Sequence, residues 1–398
     1  MSDRVTTVDL FCGAGGLSLG LQSAGADCHL AVDLDPNAVA TYRKNLGDDV
    51  QAADVNSMSF IPECDIITGG PPCQGFSSAG ARRHGDDRNS LVGTYARMIA
   101  ARLPLAFMFE NVEGFLTAED GKRVIELLDP LIAAGYRIHL RKVNLAAFGV
   151  PQLRKRVIGI GGLGWDPVFP EPTHQPFGAP GATKFGSLSL PLTPTLQEAL
   201  QGLPAASITG PTTPSDHLYR PLEGDDLQRA RALRPGMTMR DLPEELWHPS
   251  YRRRAYRRVM DGTPTERRGG APAGLRRLRW EEPSKAITGA ATTEFIHPSE
   301  DRPLTVREAA RIQTFPDTFD FCGPTRQKIQ LIGNAIPPRF AEAIGRALFQ
   351  QLPARKPKVT KGALLSFVPT PANAMSPALQ HTTDAIAGRY MNAGETRR

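Results

Sequence analysis

The first 165 residues alternate short β-rich runs with helical stretches, and this alternation restricts the possible folds more than any other feature. VTTVDLF, CHLAVDL, CDIITGG, LAFMFEN, YRIHLRKV and RVIGIGG carry the β-branched and aromatic residues of strands. Between them, LSLGLQSAG, NAVATYRKN and GKRVIELLDPLIAAG have helical spacing. Strands separated by crossover helices run parallel and need cover on both faces. The expected fold is therefore α/β, with a doubly wound, mostly parallel sheet.

Beyond residue 165 the texture changes. From about 166 to 250, proline, threonine and glycine dominate without clean periodicity (GWDPVFPEPTHQPFGAPGA), which predicts a smaller, loop-rich domain. Helical pattern returns in TVREAARIQTF and PPRFAEAIGRALFQQL. The expected organisation is a first domain over 1–165, a second over 166–320, a return segment over 321–354, and a poorly ordered basic tail over 355–398.

Charge and cysteine usage narrow the setting. No run approaches the roughly 18 apolar residues of a membrane span, and the N-terminus lacks the pattern of a signal peptide. Five scattered cysteines (Cys12, Cys28, Cys64, Cys73, Cys322) show no zinc-site spacing, so a cytoplasmic, metal-free protein is expected. The formal charge is +6, but arginines crowd one segment: Arg252, Arg253, Arg254, Arg257, Arg258, Arg267, Arg268, Arg276, Arg277 and Arg279. That clustering suits a polyanionic nucleic acid; a solvated basic face is the alternative.

Two stretches carry chemistry. The first predicted strand ends in DLFCGAGGLSLGL, where Gly13, Gly15 and Gly16 lie between strand and helix and let a ligand approach the helix N-terminus. Asp33 ends the next strand, placed to accept hydrogen bonds from a ribose, and Asp54 follows the third, within reach of an adenine edge. A structural tight turn is the bland alternative. Two acids at successive strand ends favour an adenosine-containing cofactor with one ribose.

The second stretch, TGGPPCQGFSS, sets Cys73 in a constrained loop at the carboxyl edge of the sheet. A thiol reacts as thiolate, so a partner that takes its proton or lowers its pKa is expected nearby. The next strand delivers Glu110 and Asn111 to the same edge, with a buried helix-capping role the alternative for Glu110. In FGVPQLRKRVIGI, Gln152, Arg154 and Arg156 alternate and are expected on one face, where paired arginines need an anion or a carboxylate.

Taken together these residues resemble the C5-cytosine DNA methyltransferases, from residue 5 to about 350. DLFCGAGG resembles the family's cofactor turn, GGPPCQGFS its nucleophile loop, FENV its glutamate motif and QLRKR its QxRxR motif. RPLTVREAARIQTFPD and QLIGNAIPP are similar to its late motifs. The resemblance implies a Rossmann-like methyltransferase domain, a target-recognition domain, and S-adenosylmethionine as cofactor. It implies that Cys73 is the covalent nucleophile at carbon 6 of a flipped cytosine and that Glu110 holds N3 and the exocyclic amine. Arg154 is expected to grip the ring carbonyl, and Arg156 to support it. Cofactor contacts carry over to Phe11, Gly13, Gly15, Asp33, Asp54, Val55, Pro72, Leu91, Asn334 and Ala335. Many relatives have Glu where this chain has Asp33, which keeps Asp35 as a second candidate for the ribose. The segment QGFSSAGARRHGDDRNSL, with Arg82 and Arg83, is expected to close behind the base, and Trp247, Tyr251 and Tyr256 to help the arginines read DNA. Implied partners are double-stranded DNA and a cognate restriction endonuclease, with no membrane, for a monomer associated with the nucleoid. The alternatives are a tRNA cytosine-C5 methyltransferase, a catalytically silent DNA-binding relative, and, at fold level only, a nucleotide-dependent oxidoreductase.

Overall fold

The structure is a computed structural model that describes residues 4–58, 60–72, 90–175, 190–252, 274–369 and 375–391. Cys73, Arg82, Arg83, Tyr256 and the arginines from 253 to 268 lie outside the described residues. The chain divides into two compact units, one formed by Met1–Phe148, Lys155–Pro172 and Ile336–Arg398, the other by Gly149–Arg154 and Thr173–Ala335.

The elements of the first unit are β1 (Val5–Leu10), α1 (Gly16–Ser23), β2 (Ala26–Asp33), α2 (Pro36–Leu46), β3 (Val50–Ala52), β4 (Ile66–Gly69), α3 (Leu91–Arg102), β5 (Ala106–Asn111), α4 (Lys122–Ala133), β6 (Tyr136–Asn144), β7 (Lys155–Leu163), α5 (Pro338–Phe349), β8 (Ala363–Val368) and α6 (Pro377–Tyr390). Eight strands form one sheet in the order β8-β6-β7-β5-β4-β1-β2-β3. All neighbours are parallel except β7, which runs antiparallel to both β5 and β6. The mostly parallel, doubly wound sheet expected from the alternation is thus the observed fold. Val8, Leu10, Val32, Ile67, Phe107 and Phe109 are fully buried along its central strands, the continuous apolar runs that a sheet covered on both faces requires. Chain order reverses between β1 and β4, and the carboxyl edge beside such a reversal is where ligands of open α/β sheets bind.

Two elements differ from expectation. Leu91, expected at the end of a loop, opens α3, whose Val92, Tyr95, Ala96 and Ile99 are buried at helical spacing. Ser90 caps it by accepting the Gly93 N–H (3.0 Å). The tail beyond 355, expected to be poorly ordered, contributes β8, which pairs in parallel with β6, and α6, which buries Leu379 and Ile386. Ser366 is hydrogen-bonded to His139 (2.7 Å), and Arg389 and Tyr390 both donate to Asp129. The polar composition hid a few apolar residues at strand and helix spacing, and these suffice once a sheet edge is there to receive them.

The second unit is loop-rich. Its helices include Leu196–Leu200, Gly224–Ala232, Val306–Ile312 and Thr325–Asn334, with strands of only two residues. Ala230, Leu233, Met239, Leu242, Tyr251 and Ile296 form its apolar cluster. Tyr251 is buried and packs edge-on against Trp247 (5.1 Å), whose indole N–H donates to the Leu242 carbonyl (2.9 Å). Both rings pack within this unit, Tyr251 buried and Trp247 partly exposed. Among the described residues, no helix is long and apolar enough to cross a membrane.

Candidate active site

The carboxyl end of β1 forms the first part of the site. Phe11 has φ +61°, a left-handed conformation that a bulky residue adopts only under constraint, and Gly13 (+54°) and Gly15 (+89°) continue the turn into α1. The Gly13 N–H donates to Asp33 Oδ2 (2.9 Å), and the Asp35 N–H to Asp33 Oδ1 (2.9 Å). Asp33 therefore ties the ends of β1 and β2 together, and each oxygen keeps a second lone pair. Asp35 is the N-cap of α2, accepting the Asn37 N–H (2.8 Å). Asp54 likewise caps the short turn Val55–Ser57, with an exposed carboxylate and Val55 buried behind it. Behind the turn, α5 rests on α1 through Gly20, where a Cβ would collide with the Pro338 carbonyl.

Sequence reasoning passed over two neighbours of this turn. Leu34, directly after Asp33, is 70% exposed, an apolar surface beside the glycine turn. Asp9, fully enclosed in β1, accepts hydrogen bonds from Ser18 (2.6 Å) and Thr68 (3.2 Å), fastening β1 to α1 and β4. Burial pushes its carboxyl up to about 6. An acid between Val8 and Leu10, both fully buried, was the available signal.

The second part lies where β4 and β5 end together. Glu110 is nearly buried, and its Oε1 is 2.7 Å from Arg156 Nε on β7. Gly70 passes close to the same carboxylate: a Cβ there would lie 3.0 Å from Oε2. Asn111 donates from Nδ2 to the Pro71 carbonyl (2.9 Å) while its Oδ1 accepts the Val112 N–H (2.9 Å). The base of the PPC loop, through Pro72, is thereby held against the strand that carries Glu110. Three other thiols are poor nucleophiles, since burial pushes Cys12 and Cys28 up and Cys64 to about 12.

The two arginines of QLRKR have separate surroundings. Arg154, 1% exposed, belongs to the second unit and donates to the backbone carbonyls of Ile287 (2.7 Å), Gly333 (2.7 Å) and Ala335 (3.2 Å). The expectation that it grips a base is corrected: its fork is committed to main-chain acceptors. Arg156, expected only to support it, is the arginine beside Glu110. Gln152 is also buried, bonded to Ile312, Gln313 and Ile287. Of the late candidates, Ala335 is buried with its carbonyl taken by Arg154, and Asn334 is exposed, accepting from Gln330 (3.0 Å).

A reversed-order parallel sheet with a glycine turn, a strand-end acid and a carboxylate–arginine pair along one edge defines a Rossmann-like methyltransferase fold. The model of the C-5 cytosine-specific DNA methylase family matches residues 5–350. The chain belongs to that family and is a DNA cytosine-5 methyltransferase. The Type II methyltransferase M.NgoFVII of Neisseria gonorrhoeae is 33% identical over 358 residues, covering 87% of each protein. M.Sau96I of Staphylococcus aureus is 33% identical over 86% of this chain and 75% of its own. Among solved structures, a prophage-encoded E. coli protein superposes with a TM-score of 0.64 at 24% identity, over 87% of this chain and 99% of that one. The S. pombe Dnmt2 methyltransferase gives 0.57 at 18% identity, over 88% and 99%. At those identities the structural likeness concerns the fold alone.

Proposed function

We propose that the protein is a Type II modification enzyme that methylates carbon 5 of a flipped-out cytosine in duplex DNA, with Cys73 as covalent nucleophile and S-adenosylmethionine as donor. The observation that carries this reading is the Glu110–Arg156 pair at the sheet edge, with the base of the PPC loop fastened beside it by Asn111. Extruding the base costs a few kcal/mol, which contacts with the flipped base and the distorted duplex offset.

Carbon 5 of cytosine is a weak nucleophile. Cys73, as thiolate, forms a bond to carbon 6, and the electrons of the C5–C6 double bond move toward carbon 5 and the N3 side of the ring. Glu110 hydrogen-bonds N3 and the exocyclic amine and shares a proton as negative charge develops there. Arg156, held by Glu110, is the better candidate for the ring carbonyl, since Arg154 is occupied by backbone. After carbon 5 is methylated, its proton leaves to a base, the double bond re-forms, and the C–S bond breaks to return the thiolate.

The glycine turn fits the cofactor. Gly13 has nothing within 4 Å of where a Cβ would stand, Asp33 retains lone pairs for ribose hydroxyls, and Leu34 offers an apolar face to a purine. Phe11, Gly15, Asp54, Val55, Pro72 and Leu91 are the further candidates, while Asn334 and Ala335 rest on the resemblance alone. S-adenosylmethionine, when bound, supplies an electrophilic methyl group. The second unit is the candidate for target recognition, and a partner endonuclease fits the Type II class.

An oligonucleotide bearing 5-fluorocytosine at the methylated position tests the reading. With cofactor present, a denaturant-resistant adduct forms in wild type and is absent in Cys73→Ser. Adduct formation by Cys73→Ser, or labelled methyl transferred to tRNA in preference to duplex DNA, would refute it.

A further inference from the structure

We propose that a groove in the second unit reads a guanine edge of the target duplex, with Arg276 as the reading residue; this rests on the DNA reading above. The groove, about 360 Å³, is lined by Gly236, Thr238, Arg276, Arg279, Glu282 and Lys285 among others. Arg276 and Arg277 form a two-residue strand that pairs with Phe295–Ile296, and adjacent strand residues face opposite ways. Arg277 is buried, donating to the carbonyls of Ala230, Leu233, His297 and Glu300 and to Asp301. It is a framework residue and is removed from the expected DNA-binding set.

Arg276 is the opposite case. Among the described residues, neither its guanidinium nor the Lys285 ammonium has a hydrogen-bond or ion-pair partner, though both line the groove. Arg279 is neutralised by Glu282 (3.1 Å) and lies across Gly236, where any Cβ would collide with its guanidinium. Gly236, at φ +86°, is a position that favours glycine, and its missing Cβ leaves room for that paired side chain at the groove.

The lining distinguishes a base from a phosphate. Glu282, though paired with Arg279, lines the groove with acceptor oxygens that a phosphate, itself only an acceptor, leaves unused. A G·C pair offers acceptors at guanine O6 and N7 and a donor at cytosine N4, so it suits a free guanidinium fork with a carboxylate at its side. Lys285, a single ammonium without the planar fork, suits the flanking backbone.

The test compares wild type with Arg276→Ala and Arg276→Lys, by bisulfite mapping of methylated genomic DNA and by duplex binding across a salt series. Thermal melting and S-adenosylmethionine binding check that each variant is folded. The expected result is relaxed preference at one G·C pair of the recognised sequence by about ten-fold or more, which Arg276→Lys fails to restore because it keeps the charge but loses the fork. Equal loss of affinity for all sequences, with the salt slope reduced by about one, marks a phosphate contact and overturns the assignment. So does unchanged specificity in both variants. If wild type shows no preference for duplex DNA, the DNA reading itself fails, and this assignment with it.

Discussion

Arg156 Nε lies 2.7 Å from Glu110 Oε1, joining β7 to β5 across the one antiparallel pairing that β5 makes. Both side chains are mostly buried, at 15% and 11% exposure. A largely desolvated pair at a sheet edge is costly to break, because removing one partner strands the other's charge. Each side chain also fixes where the other points, as the base-binding role proposed for Glu110 needs.

The two arginines of QLRKR should therefore separate in mutagenesis. Arg156→Ala is expected to reduce kcat strongly. Arg154→Ala removes the donors to three buried carbonyls and is expected to cost on the order of 3 kcal/mol of stability. Melting temperature and single-turnover rate, measured on both variants, distinguish the roles. A stable Arg154→Ala enzyme with lost turnover would return the base contact to Arg154.

Asp33→Ala should weaken S-adenosylmethionine binding by about ten-fold or more, the usual cost of losing a charge-assisted hydrogen bond. Leu34→Ser should raise the KM for the cofactor and leave kcat nearly unchanged. Asp35→Ala should instead cost about 1 kcal/mol of stability as a lost helix cap. Calorimetric titration reads the affinities, and an unaltered Kd in Asp33→Ala would move the ribose contact to Asp35.

Asp9 gives a pH signature. Its folded carboxyl sits at about 6 against an ordinary 3.8, so between those values the native state holds a proton that the unfolded chain has released. The stability it contributes is full below about pH 4 and lost as pH rises through 6, about 3 kcal/mol in all. Asp9→Asn abolishes this component. The melting-temperature difference, wild type minus variant, should fall between pH 4 and 7; a flat difference would mean that Asp9 titrates as an ordinary carboxyl.

Deleting residues after Leu352 should destabilise the first unit. It exposes the β6 edge and the surfaces that bury Leu364, Leu379 and Ile386, worth on the order of 5 kcal/mol together. An open edge strand also invites self-association. Thermal melting and light scattering test this, and an unchanged melting temperature would show the tail to be dispensable.

Much of the fold was legible in the chain because it rests on local patterns. Val8, Leu10, Ile67, Phe107 and Phe109 fall in strand-length apolar runs, and runs that alternate with helices permit few topologies. The motif residues at strand ends were legible for the same reason, since in a parallel sheet every carboxyl end reaches one edge. The helix at Leu91–Arg102 was also written at helical spacing, but the expected loop ran on to its first residue, Leu91.

What only tertiary structure decided was the role of residues whose chemistry is identical in sequence. Arg154 and Arg156 are the same side chain two positions apart, yet one serves backbone carbonyls and the other a carboxylate. Arg276 and Arg277 are adjacent and both line the groove, yet Arg277 is buried with its guanidinium bonded, while that of Arg276 has no partner among the described residues. A guanidinium goes wherever acceptors are assembled, and those acceptors come from segments as remote as Gly333 and Asp301. The same holds for the tail, whose few apolar residues order only because the β6 edge is there to pair with β8. Local pattern sets the elements and their order; burial and long-range pairing decide which charges are structural and which remain free to act.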